Sequence, residues 1–363
     1  MVPSPMVASD KASSASPLQR TLDKYAQPAE LVAAEQAGAV RCLACAHRCL
    51  VKPDRRGICR VRFNHDGILL APYGYVTGLQ NDPIEKKPLY HFLPGSSALT
   101  FGMLGCSLHC PYCQNWLTSQ ALRDEAAGTV PEGVKPEQVA QLALEGRARA
   151  VVSSYNEPLI SAEWAAAVFK AARAVGLKTA LVSNGYATPE VLEYLRPVTD
   201  AIKVDLKSPV DRTYRTLGGV LQPVVDSISL AHELGYWLEI VTLVVPGLND
   251  SNGHLRQLAE IIGGVSPDIP WHVSAFHPDY HMTDRVPTPV STLQRARELG
   301  REAGLKFIYG GNLPGSDPDL ENTHCPGCGV TLIQRMGYFI LDNRLDEAAA
   351  CPKCGVLVPG VWV

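Results

Sequence analysis

Leu99-Thr-Phe-Gly-Met-Leu-Gly-Cys106-Ser-Leu-His-Cys110-Pro-Tyr-Cys113-Gln-Asn115-Trp places three cysteines at C-x3-C-x2-C directly after a short apolar run. The run, Ala98–Phe101, reads as a strand, and Gly102 and Gly105 let the backbone turn sharply out of it. It is the first of a series. Runs rich in Val, Ile and Leu recur at Ala150–Ser153, Lys178–Val182, Ala201–Val204, Trp237–Val245, Trp271–Phe276 and Lys306–Tyr309. Between them lie helical patterns such as Leu159–Ala174 and Ser291–Ala303, with apolar residues three or four apart. Several of these patterns end at a glycine, as at Gly176, Gly235 and Gly304. Strands alternating with helices predict right-handed βαβ units on a parallel sheet. Six or seven such units predict an α/β fold, a partial (β/α)6-7 TIM-type barrel, with the chemistry at the rim where the strands end. An open doubly wound sheet is the alternative.

Three thiolates on one short loop can ligate three irons of a cubane cluster. The fourth iron is then open to the amine and carboxylate of a small molecule. A zinc site completed by His109 is the competing reading of the same spacing. The chain has 363 residues and 11 cysteines. The other cysteines form two further groups, one before and one after the strand–helix series. Pairs this close, in an odd total, do not make a disulfide framework. They point to metal or cluster ligation in a reducing compartment, and so to a cytoplasmic enzyme. The first residues lack the apolar core of a secretory signal, and no apolar run approaches the roughly 20 residues of a membrane helix. A net charge of -3 gives no reason to expect nucleic acid or membrane partners. The expected organisation is a disordered tail and short helix (1–38), a four-cysteine module (39–94), the barrel (95–312) and a second four-cysteine module (313–363).

The C-terminal group, Cys325-Pro-Gly-Cys328-Gly and Cys351-Pro-Lys-Cys354-Gly, has the form of two knuckles of a zinc ribbon. An auxiliary iron–sulfur cluster is its alternative. The N-terminal group, Cys42, Cys45, Cys49 and Cys59, is C-x2-C-x3-C-x9-C, with His47 inside it and Arg48, Arg55, Arg56 and Arg60 around it. Zinc or an auxiliary cluster both suit that spacing, with zinc the first choice.

C-x3-C-x2-C with an aromatic residue, Tyr112, before the third cysteine resembles the signature of the radical S-adenosylmethionine (SAM) superfamily. The Cys113-Gln-Asn continuation resembles glycyl-radical-enzyme activases such as pyruvate formate-lyase activating enzyme. The N-terminal cysteines, Asp82-Pro-Ile-Glu-Lys-Lys-Pro-Leu-Tyr-His-Phe92 and the C-terminal pairs together resemble the AmmeMemoRadiSam-system radical SAM enzymes. The resemblance implies a radical SAM core in the barrel, with a [4Fe-4S] cluster on Cys106, Cys110 and Cys113 and SAM as cosubstrate. It implies reductive cleavage to a 5′-deoxyadenosyl radical, fed by flavodoxin or ferredoxin, and hydrogen abstraction from a substrate. It also implies partners of the AMMECR and Memo types. For the SAM site it points to Tyr112 beside adenine and to Asn156-Glu157, the counterpart of a Gly-Gly-Glu element that accepts from the ammonium. It points further to Ser183-Asn184 and to Asp205 and Lys207, which share a strand face and suit the carboxylate. His277, after the sixth strand, joins them, and Val245–Asp250 reads as a structural turn nearby. Three functions remain open: a maturase or biosynthetic enzyme acting on a protein or small molecule, a glycyl-radical activase, and a zinc-binding scaffold without radical chemistry.

Overall fold

The computed structural model describes residues 16–313, 315 and 317–363. The tail expected at the N-terminus falls largely on residues 1–15, outside them; the short helix is Pro17–Asp23. At the centre is one eight-stranded sheet. Its strands are β1 (Gly78–Pro83), β2 (Ser97–Gly102), β3 (Ala150–Ser153), β4 (Lys178–Ser183), β5 (Ala201–Asp205), β6 (Trp237–Val244), β7 (Trp271–Ala275) and β8 (Ile308–Gly311). β2 to β8 are parallel and lie side by side in chain order, while β1 pairs antiparallel with β2. A doubly wound sheet reverses its strand order at a switch point. No reversal occurs here, so the sheet is a barrel left open between β8 and β1.

One main helix follows each of β2 to β7 in turn: α1 (Pro136–Glu145), α2 (Ala162–Ala174), α3 (Pro189–Leu195), α4 (Leu221–Glu233), α5 (Asn252–Gly263) and α6 (Val290–Glu302), with short helices at Trp116–Ser119 and Asp211–Thr216. The helix expected from Leu159 begins later, because Pro158 starts a 3-10 turn that runs to Ser161 before α2. Outward strand residues such as Leu99, Phe101, Val151, Leu181 and Ile202 pack under the helices with Trp164 and Phe169. Inward positions alternate with them and are small: Ala98, Ala150, Ala180 and Ala201. These alanines leave room inside the barrel, and Ile84, Leu89, Phe92 and Leu93 fill it.

This corrects the expected domain boundaries. Residues 78–93, assigned from sequence to the N-terminal module, supply the barrel's edge strand and its interior plug. The period-2 alternation of a half-polar edge strand is weak in Gly78-Leu-Gln-Asn-Asp-Pro83, which explains why it was missed. The N-terminal module also begins before residue 39. Ala26–Pro28 pairs with Ile68–Pro72, and Val32–Ala34 pairs with Val40–Cys42. The C-terminal module, read as separate, shares a buried cluster with the barrel: Tyr90, Phe307 and Tyr309 pack with Leu332, Ile333 and Val358. Among the described residues no helix is long and apolar enough to cross a membrane.

Candidate functional site

The loop after β2 carries Cys106, Cys110 and Cys113 at the rim where the parallel strands end. Gly105 has φ +95°, and a Cβ there would lie 2.9 Å from Val61 Cγ1, so the sharp turn excludes any side chain. Hydrogen bonds fix the loop. Met103 N–H donates to Asn156 Oδ1 at 3.0 Å, Gly105 N–H to the Thr118 carbonyl at 3.0 Å, and Arg123 to the Cys106 carbonyl at 2.9 Å. Burial pushes all three thiols up. Cys110 reaches about 11 although Lys207 pulls it down. Thiols held this way ionise when a metal supplies positive charge. Among the described residues, their sulfurs do not join the sets lying within 4.8 Å of one another that would suit a single ion. Ligands of one cubane bind different irons and stand further apart, so the donor set and its spread fit a cluster.

A cavity of about 350 Å³ opens beside Cys110 and Cys113, lined also by Tyr112, Tyr155, Lys203, Asp205 and Lys207. Alternation along β5 turns Lys203, Asp205 and Lys207 to one face. Asp205 accepts from Lys203 on one oxygen and from Lys207 Nζ on the other, the latter at 3.1 Å. Burial alone would raise the Asp205 carboxyl, but the two ammonium groups outweigh it and hold it at about 2. Burial likewise opposes the Lys207 charge, and Asp205 and Cys110 more than offset that. The expected turn at Val245–Asp250 locks this strand end: Asn249 Nδ2 donates to the Lys207 carbonyl at 2.8 Å.

Glu157, Ser183 and Asn184 also come together. The buried Glu157 carboxylate accepts Ser183 Oγ–H at 2.7 Å, Asn184 N–H at 2.8 Å and Leu159 N–H at 3.1 Å. Burial pushes its carboxyl up to about 7 against these three donors. Two carboxylate oxygens offer about four acceptor positions, so one remains for a further donor. Asn156 differs from its expected place. Its amide is spent on Met103 N–H and the Glu157 carbonyl, and it holds the loop, whereas Ser154 and Tyr155 face the cavity. His277 is exposed at the rim, with its Nε2 2.9 Å from Gln114 Nε2, and does not line the cavity.

Lys203 and Lys87 are among the cavity residues that escaped the sequence reading. Lys203 lies two positions before Asp205 on the same strand face, a spacing that would have revealed it. Lys87 Nζ reaches Asp82 Oδ2 at 2.9 Å and Tyr155 Oη at 3.1 Å. Its link to Tyr155 spans unrelated segments and leaves no sequence signal.

The residues 101–259 match the radical SAM superfamily. Over 320 residues the chain is 38% identical to an uncharacterized protein of Methanocaldococcus jannaschii, covering 87% of this chain and 94% of that protein. The chain belongs to the radical SAM superfamily. It is also 26% identical over 232 residues to the pyruvate formate-lyase 1-activating enzyme of Escherichia coli K12, covering 60% of this chain and 93% of that enzyme. Among solved structures, a radical SAM methyltransferase from Sphaerobacter thermophilus aligns with TM-score 0.48 and 14% identity, over 81% of this chain and 80% of the other. Radical SAM membership implies a [4Fe-4S] cluster and SAM, and members of the superfamily are typically enzymes drawing on a low-potential reductant.

The C-terminal group has a different geometry. The sulfurs of Cys325, Cys328, Cys351 and Cys354 all lie within 4.8 Å of one another, with Cys325 to Cys354 at 3.4 Å and Cys328 to Cys351 at 3.7 Å. A tetrahedral ion with metal–sulfur bonds of about 2.3 Å needs sulfurs about 3.8 Å apart. This group fits one such ion.

Proposed function

We propose that the chain cleaves SAM reductively at a [4Fe-4S] cluster held by Cys106, Cys110 and Cys113 and abstracts hydrogen from a protein or small-molecule substrate. The observation that supports this reading is the joint placement of Cys110, Cys113, Asp205 and Lys207 on one cavity at the strand-end rim, with Cys106 on the same short loop. When bound, the cluster and SAM supply a 5′-deoxyadenosyl radical; the chain binds, orients and excludes water. Lys207 is the partner for the SAM carboxylate, and Asp205 holds it in place. Glu157 keeps an acceptor position for the ammonium, Ser183 and Asn184 hold Glu157, and Tyr112 lies where adenine would rest. Asn156 acts by fixing the loop and His277 from the rim.

The substrate end of the cavity is cationic. Lys86, Lys87 and Lys203 line it with Lys207, while Asp82 and Asp205 are the carboxylates that hold them. Four ammonium groups against two carboxylates suit a substrate bearing an anionic group.

Flavodoxin or ferredoxin serves as the electron donor in this reading, in the cytoplasm, and the C-terminal ribbon holds zinc. The resemblance to AmmeMemoRadiSam enzymes supports partners of the AMMECR and Memo types and a maturase or biosynthetic role. A glycyl-radical activase is the second reading, favoured by the likeness to the Escherichia coli activating enzyme. Anaerobic reconstitution followed by SAM turnover with AMMECR-type, Memo-type and glycyl-radical proteins added in turn separates the two. Brown, oxygen-sensitive protein whose reduced paramagnetic signal responds to SAM is expected. Cys106→Ala, Cys110→Ala or Cys113→Ala should abolish that signal, and its survival in all three would refute the assignment, leaving a zinc scaffold.

A further inference from the structure

We infer that Cys42, Cys45, Cys49 and Cys59 hold a second [4Fe-4S] cluster, set against the Cys106 loop and passing electrons to it. The two outer cysteine groups differ in geometry. The C-terminal sulfurs are drawn into the tight set that one tetrahedral ion needs. The N-terminal sulfurs, among the described residues, form no such set. Cys106, Cys110 and Cys113 likewise form no such set, and ligands of separate irons stand further apart than those of one ion. Four thiols complete a cubane, so this cluster would have no iron open to substrate.

The pocket suits that cargo. Cys42, Cys45 and Cys59 are buried and Cys49 is partly so. Cys49 Sγ accepts Ile58 N–H at 3.4 Å. Such N–H···S bonds hold cluster ligands and set their potential.

Its position suits electron transfer. The Cys59 carbonyl oxygen lies 3.3 Å from where a Cβ on Gly105 would sit, and Gly105 directly precedes Cys106. His47 Nε2 lies 2.9 Å from the Ser107 carbonyl. Arg123 donates at once to the Ile58 carbonyl at 3.0 Å and the Cys106 carbonyl at 2.9 Å. The outer face beside Cys49 exposes Leu50 and Ile58, with Lys52, Arg55 and Arg60 set against the neighbouring pair Asp54 and Asp66. That face fits an acidic one-electron carrier protein. The step is a transfer of one electron from the reduced carrier to the second cluster, and of the same electron onward. No bond forms or breaks and no proton moves.

The metal assignment stands apart from the proposed function; only the onward transfer rests on it. The test is a chain carrying C106A, C110A and C113A together, reconstituted anaerobically. It should retain about four irons and a reduced paramagnetic signal that SAM does not perturb. Cys49→Ser in that background should remove both, and Cys354→Ser should leave them. Zinc in place of iron, or iron that leaves with Cys354→Ser, would overturn the assignment. If Cys49→Ser does not fold, the choice rests on the triple variant combined with Cys354→Ser, where loss of the cluster signal is the overturning result. For the transfer, wild-type protein is photoreduced, freed of reductant and mixed with SAM. Two linked clusters should yield about two 5′-deoxyadenosine per chain, against about one from a single cluster. A yield of one, with the second signal still reduced, would overturn the transfer. No cleavage at all would sink the proposed function and leave the second cluster standing.

Discussion

Asp205 has two oxygens and two ammonium partners, so neither neighbouring lysine can be changed without altering the other's surroundings. In the proposed site, Lys207→Ala removes a charge-assisted hydrogen bond to the SAM carboxylate, worth about 1.5–3 kcal/mol. Titration should show SAM affinity weakened by roughly one to two orders of magnitude, with the cluster signal intact because its ligands lie on another loop. An unchanged affinity would return Lys207 to a purely structural ion pair. Asp205→Asn should impair SAM cleavage in the same direction, since it leaves two buried ammonium groups facing a neutral amide. Glu157 gives a pH prediction. Its carboxyl lies at about 7 against an ordinary 4.5, so the folded chain holds this proton longer than the unfolded chain does. Its contribution to stability is therefore greatest below about 4.5 and is lost as pH rises toward 7. SAM binding has the opposite slope, because the ammonium needs the ionised form. Affinity should rise with pH by up to about 1.4 kcal/mol per unit and level off above 7; in Glu157→Gln both slopes should vanish. The shared face of Asp205 and Lys207 was legible because a strand's alternation and a strongly apolar lead-in fix it. The bond from Met103 N–H to Asn156 was not legible, because hydrogen bonding to a distant loop leaves no mark on spacing.

At the scale of elements, the parallel strands were legible because most are short apolar runs between helical periods. The 84–93 segment was not, because what makes it a plug is the row of inward alanines on four other strands. The joint between the N-terminal module and α2 is the most demanding one. Arg62 and Glu163 are both buried and bonded through both guanidinium nitrogens. Glu163 Oε1 also accepts N–H from Glu30 and Leu31, and Arg62 Nε donates to the Ile160 carbonyl. Glu163→Ala leaves a buried guanidinium without its charge partner, which costs about 3–5 kcal/mol. Denaturant unfolding of the reconstituted protein should show that loss, and cluster loss should accompany it because the module backs the Cys106 loop. A change below about 1 kcal/mol would mean that water reaches Arg62 and that the joint is looser than its packing shows.

Across the whole molecule, the open barrel is closed by parts that sequence alone assigned elsewhere, and the C-terminal module is one of them. Arg335, buried on its first hairpin strand, donates to the Tyr90 carbonyl at 3.0 Å and to Thr323 Oγ1 at 2.7 Å, and its guanidinium lies 4.4 Å over the Tyr90 ring. Those contacts carry Tyr338, at the hairpin's turn, to the cavity wall beside Asn312 and Lys86. The module's own apolar contribution is small, and its four-cysteine set is what ties the two knuckles together. With the proposed zinc in that set, a module of this size relies on it for folding. Chelation of the purified protein should therefore release about one zinc per chain, and hydrogen exchange should then quicken through Thr331–Asn343, the two hairpin strands. The paramagnetic signal of the central cluster should persist, because its loop is braced from the opposite side by Arg123 and the N-terminal module. Cys354→Ser should reproduce the effect without a chelator, since Cys354 is the exposed ligand and its loss disturbs no core. If the hairpin stays protected in a zinc-free chain, the packing of Arg335 on Tyr90 would be sufficient by itself, and the cavity wall would not depend on the ribbon's metal.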